Sequence, residues 1–115
     1  MNDKDCARLK IMLELCNEVK ASLVKHDYVY QEYLDDHEFY NSINMDVFQI
    51  GELASKLSDG YKEKTIEQMP WHQITSMRNI IGHDYGNVDE TIVWQTATES
   101  IPELQNFLVT ELEKS

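Results

Sequence analysis

One short stretch, Arg78-Asn79-Ile80-Ile81-Gly82-His83-Asp84-Tyr85, gathers the side chains in this chain best suited to chemistry. The arginine is a permanent cation whose planar guanidinium has five donors and can hold a phosphate bidentately. His83 titrates near neutrality and can act as general base or acid. Asn79 can donate a further hydrogen bond, Asp84 can orient the imidazole, and Tyr85 adds a phenol. Such a set suits metal-independent cleavage of RNA. The imidazole takes the 2′-hydroxyl proton, the oxygen attacks the adjacent phosphorus, and the guanidinium neutralises charge growing on the phosphorane oxygens. Each residue alone has a plainer reading: an arginine paired with a buried carboxylate or reaching past the core to water, a structural histidine, an aspartate facing solvent. Four polar groups on one short turn are harder to explain that way.

Five positions separate Arg78 from His83, about 140° around a continuous helix, so the two would not converge without a turn. Gly82 supplies one, because glycine adopts the left-handed conformation that ends helices. Gly86 then releases the chain into the next element. A single chain provides one such histidine. A symmetric dimer with both turns across a shared cleft would supply base and acid together and double the local positive charge.

The elements that must position this turn are helical. Four Gly and two Pro in 115 residues favour a few long helices. Residues 5–25 carry Cys6, Leu9, Leu13, Cys16 and Leu23 at three-four spacing, widened by Met12, Leu15 and Val19. Tyr28, Tyr30 and Tyr33 mark a short helical turn or ordered loop over Asp27–Leu34. Asp35 with Glu38 reads as a capping box opening a second long helix, with Tyr40, Ile43, Val47, Ile50, Ala54 and Leu57 inward and Gly60 as its stop. Residues 61–69 read as a partly helical linker anchored by Ile66. Pro70 fits the first turn of a third helix bearing Trp71, Ile74, Met77 and Ile81, and Arg78 falls inside its apolar arc. Asn87 with Glu90 reads as the cap of a last helix with Ile92, Val93, Leu104, Leu108 and Leu112. Pro102 either kinks that helix or restarts it with Ser100 as cap and Glu103 at the third position. The expected fold is all-α, an up-down bundle of four main helices in one domain over 1–115.

Composition narrows the function classes. No apolar run approaches the ~20 residues of a membrane span, and no leader opens the chain, so a cytoplasmic protein without a membrane partner is expected. Cys6 and Cys16 lie about 15 Å apart on one helix, too far for a disulfide. Zinc-like spacing and Asp-rich calcium loops are missing, so neither a metal nor another cofactor is expected. The net charge of −11 repels nucleic acid at long range and suits a basic partner. Only two of the ten basic residues are arginines, Arg8 and Arg78. An RNA-cleaving site would have to gather its cations locally.

Pro70-Trp71, Ile74, Met77-Arg78-Asn79, His83, Tyr85 and Val88-Asp89, with Trp94 and Pro102 downstream, resemble the HepT-like branch of the HEPN superfamily. Gln49-Ile50-Gly51-Glu52-Leu53-Ala54 and Leu57-Ser58 are similar to that family's second long helix. The resemblance spans nearly the whole chain. It implies a bundle that dimerises, and an RNase toxin paired with a minimal nucleotidyltransferase antitoxin of the MntA type, with a higher complex open. It implies catalytic roles for Arg78 and His83, supporting roles for Asn79 and Asp84, and AMP attachment to Tyr85 as the neutralising modification. Glu52 matches a recurring glutamate, either a partner of Arg78 or an ordinary surface charge. RNA, not DNA, is the implied substrate. The alternative is a non-catalytic regulatory or nucleotide-binding subunit of the nucleotidyltransferase, in which Arg78 holds a phosphate and His83 orients it.

Overall fold

A computed structural model describes residues 1–81 and 88–114 of the chain. Its described elements are all helical: α1 (Asp3–Lys25), α2 (Tyr30–Asp35), α3 (His37–Ser55), α4 (Asp59–Thr65), α5 (Trp71–Ile81), α6 (Glu90–Gln95) and α7 (Ile101–Glu113). A π-helical turn, Thr96–Ser100, joins α6 to α7. The four main helical stretches form the expected up-down bundle. Helix α3 packs on both α1 and α5, and α1 also packs on α7.

Helices α1, α3, α4 and α6 start where a short polar side chain satisfies a free backbone donor. The Asn2 side chain accepts from Asp5 N–H at 2.7 Å to open α1. The α1–α2 corner runs through two left-handed residues, Asp27 (φ 53°) and Tyr28 (φ 57°), and Tyr28 N–H closes back on the Leu23 carbonyl at 2.9 Å. Asp36, not Asp35, caps α3, accepting from Phe39 N–H at 3.0 Å; Asp35 is the last residue of α2. The expected stop at Gly60 is also corrected. Helix α3 ends at Ser55, Ser58 caps α4, and Gly60 lies inside α4.

The expected linker over 61–69 is thus largely α4, and its anchor is not Ile66, which is 54% exposed. Tyr61 and Thr65, one helical turn apart, face inward with Met69. The Thr65 hydroxyl donates to the Tyr61 carbonyl and accepts from Trp71 Nε1, each at 2.8 Å, which ties α4 to the start of α5. At the other end, α6 is capped by Asp89, whose carboxylate accepts from Ile92 N–H at 3.2 Å, and not by Asn87, which lies outside the described residues. Ile92 is exposed while Val93, Ala97, Ile101, Leu104 and Leu108 are buried.

Ser100 has helical dihedrals and makes no capping bond, so α7 does not restart there. Proline lacks the N–H for a bond one turn back. The chain absorbs this by widening: Ile101 N–H reaches the Thr96 carbonyl, and Pro102 sits in the first turn of α7. Among the described residues no helix is long and apolar enough to cross a membrane.

Candidate functional site

Helix α5 carries Arg78 and Asn79, and α3 determines where they stand. Ile74 and Met77 bury the inner face of α5 beside Trp71. One register position along, Arg78 meets Gly51 of α3 at close range. A Cβ built on Gly51 would fall 2.6 Å from Arg78 N and 3.1 Å from Arg78 Cβ. Only a residue without a side chain allows the backbones of α3 and α5 to approach this closely. The arginine is therefore seated through its main chain against α3.

Its side chain then runs outward along α3. Arg78 Nη1 donates to Glu52 Oε1 at 3.3 Å, with the side chains 39% and 35% exposed. Of the two roles open to Glu52, the partner of Arg78 is the one observed. Among the described residues this contact engages one guanidinium nitrogen at a rather long distance, and the group has five donors in all. A half-exposed guanidinium, fixed at its base and tethered at one nitrogen, can bind the oxygens of a phosphate. Asn79 is exposed on the same helix.

Both boundaries of the segment that follows Arg78 are fixed on α3. Helix α5 is docked at Gly51, and Glu90, the first residue of α6, accepts from Tyr40 Oη of α3 at 3.1 Å. Burial and the Glu90 carboxylate push the Tyr40 hydroxyl above the usual tyrosine range, so it stays a donor. His83, Asp84 and Tyr85, with Gly82 and Gly86, lie outside the described residues, as does the side chain of Ile81. Of the sequence-predicted site, the described residues thus place Arg78 and Asn79 and bring Arg78 to Glu52. No group of three His, Cys, Asp or Glu side chains is arranged to hold a metal ion among the described residues.

Comparison with known families decides the chain's kinship: the profile for HepT-like ribonucleases matches residues 12–110. The chain belongs to the HepT-like family. That match includes α3, α5 and the whole segment between Arg78 and Asp89. A protein of Caldanaerobacter subterraneus subsp. tengcongensis, named as a candidate RNase, is 35% identical over 56% of this chain and 57% of its own length. Another protein named as a candidate RNase, from Methanocaldococcus jannaschii, is 26% identical over 82% of this chain and 84% of its own. A protein of Thermococcus cleftensis named as a probable ribonuclease HepT is 26% identical over 66% of this chain and 68% of its own. No solved structure matches the chain.

Sequence reasoning missed Gly51 as the seat of Arg78. Its signal was a glycine inside a strongly periodic helix, which costs stability unless a backbone must come close. The partner of that glycine is visible only once α5 is docked.

Proposed function

We propose that this protein is the toxin of a toxin–antitoxin pair, a metal-independent endoribonuclease acting from the segment that begins at Arg78. One observation carries the reading: in a chain of the HepT-like family, Arg78 stands half-exposed on α5, seated on Gly51 and tethered to Glu52. The ribonuclease names of the relatives support RNA as the substrate class.

In this reading His83 removes the 2′-hydroxyl proton. The oxygen bonds to the adjacent phosphorus, the bond to the 5′-oxygen breaks, and a protonated imidazole returns a proton to the leaving oxygen. The products are a 2′,3′-cyclic phosphate and a 5′-hydroxyl. Arg78 holds the phosphorane oxygens, with Asn79 as a further donor and Asp84 orienting His83. A homodimer supplies the second imidazole. The antitoxin is a MntA-type nucleotidyltransferase: the Tyr85 oxygen bonds to the α-phosphorus of ATP, its proton is lost, and pyrophosphate leaves. The added phosphate places negative charge and bulk where the substrate must lie.

Cleavage of RNA in EDTA by the purified protein tests the reading. Arg78→Ala and His83→Ala should each lower the rate by about 10²-fold or more, the contribution of a positioned acid, base or charge clamp. Unchanged cleavage in either variant removes that residue from the mechanism. Mass spectrometry after incubation with ATP and the partner should find AMP on Tyr85; an unmodified tyrosine rejects the neutralisation step.

The net charge of −11 favours a second reading, a non-catalytic subunit that binds its nucleotidyltransferase partner. A wild-type protein that cuts no RNA while still binding that partner would select it.

A further inference from the structure

A second feature of α5 lies on the flank away from Glu52. A cavity of about 250 Å³ opens between α5 and the π-helical turn. Gln73 and Ser76 line it from α5, Thr96 and Ser100 from the turn, and Glu103 from α7, with Met77 beneath them. Its chemistry differs from that of the Arg78 flank. None of the described residues lining it is basic, and one is a carboxylate, so it is unsuited to a phosphate. It is smaller than the ~300 Å³ at which pockets for drug-sized ligands begin, a size that suits one flat ring system.

We propose that this cavity holds the base of an unpaired RNA nucleotide and selects bases that carry an exocyclic amino group. The proposal rests on the reading of RNA as the ligand. Met77 offers a polarizable thioether beneath a flat ring. The Gln73 amide can both donate and accept, and the hydroxyls of Thr96 and Ser100 adapt to either role. Ser76 already donates to the Gln73 carbonyl at 2.8 Å, so its oxygen is left as an acceptor. Glu103 accepts only. Acceptance from an amino group favours cytosine, adenine and guanine. Uracil has no amino group, and its one ring N–H lies between two carbonyl oxygens that a carboxylate repels.

The two flanks of α5 work together. Arg78 faces α3, while the cavity faces the π turn. They are separated by the width of one helix, about 10 Å. A single strand crossing α5 leaves a phosphate at Arg78 and turns a neighbouring base into the cavity. A base in a duplex is not available for this, so the substrate is a single-stranded loop or tail.

The test measures binding apart from cleavage. Hexamers of cytidine, adenosine or uridine, with every 2′-hydroxyl methylated, lack the nucleophile and cannot be cut. Wild type should bind the cytidine and adenosine strands at least about fivefold more tightly than the uridine strand, the discrimination one good base contact provides. Glu103→Gln, whose amide can donate as well as accept, should bring the three affinities together while keeping the melting temperature. Gln73→Ala should weaken the cytidine and adenosine strands alone. Equal binding of all three strands by wild type, or a preference that survives Glu103→Gln, overturns the proposal. Unmodified RNA assayed in parallel separates the two ideas. A protein that keeps its base preference but never cuts loses the nuclease reading and retains the base site.

Discussion

Arg78 was legible in the sequence because a guanidinium on an apolar arc breaks the pattern around it. Gly51 was not, since a glycine in a helix says nothing about which residue comes near. The two are one structural unit, and substitutions should separate its parts. Gly51→Ala puts a methyl carbon 2.6 Å from Arg78 N, a backbone atom that cannot move aside alone. Helix α5 must shift, at the cost of about 1–3 kcal/mol typical of overpacking, and Arg78 moves with it. Glu52→Ala removes only a half-exposed ion pair, worth about 0–1 kcal/mol. Urea unfolding should therefore rank Gly51→Ala well below Glu52→Ala in stability. RNA cleavage should fall in Gly51→Ala even at temperatures where it remains folded. Equal stability of the two variants would mean that the close approach is not what seats α5.

At the scale of elements, the long helices were readable because three-four spacing persists through them, and α1, α3 and α5 appear where the apolar stripes put them. The short ones were not. In α4, the inward residues Tyr61 and Thr65 include a polar threonine whose buried hydroxyl is satisfied by the Tyr61 carbonyl and by Trp71 Nε1. A partner six residues ahead leaves no mark in a hydropathy pattern, so exposed Ile66 drew the assignment. The Asp5 carboxylate is hidden in the same way. It is 1% exposed, accepting from Ser58 N–H at 2.9 Å and from the Ser58 hydroxyl at 2.5 Å. Ser58 in turn caps α4 through Tyr61 N–H at 3.3 Å. One serine thus joins the first turns of α1 and α4. Ser58→Ala leaves a buried carboxylate oxygen without its donor and removes a cap, so a loss of about 1–3 kcal/mol is expected. Hydrogen exchange should show the added opening at both helix starts. Exchange confined to α4 would mean that Asp5 does not couple them.

The whole molecule carries its acidity inside as well as outside, at the contact between its two longest helices. Asp46 of α3 is 6% exposed, and among the described residues no donor reaches its Oδ2. Burial, with the Glu18 carboxylate of α1 beside it, pushes the Asp46 carboxyl up to about 7 from its ordinary 3.8. The neighbouring Cys16 thiol is pushed up to about 12, chiefly by burial and then by Asp46, so it stays protonated and takes no part in the titration below. The folded chain binds the Asp46 proton more tightly than the unfolded chain does. Stability from this group is therefore complete below about pH 4, falls as pH rises through the window up to 7, and is lost above it. Asp46→Asn keeps the shape and a donor toward Glu18 but removes the charge. Its gain over wild type should be small at pH 4, widen up to pH 7 and level off beyond. A rise in melting temperature of more than about 4 °C at pH 8 would correspond to at least roughly 1 kcal/mol. If the carboxyl instead ionises freely in the fold, the two melting curves will run parallel from pH 4 to pH 8.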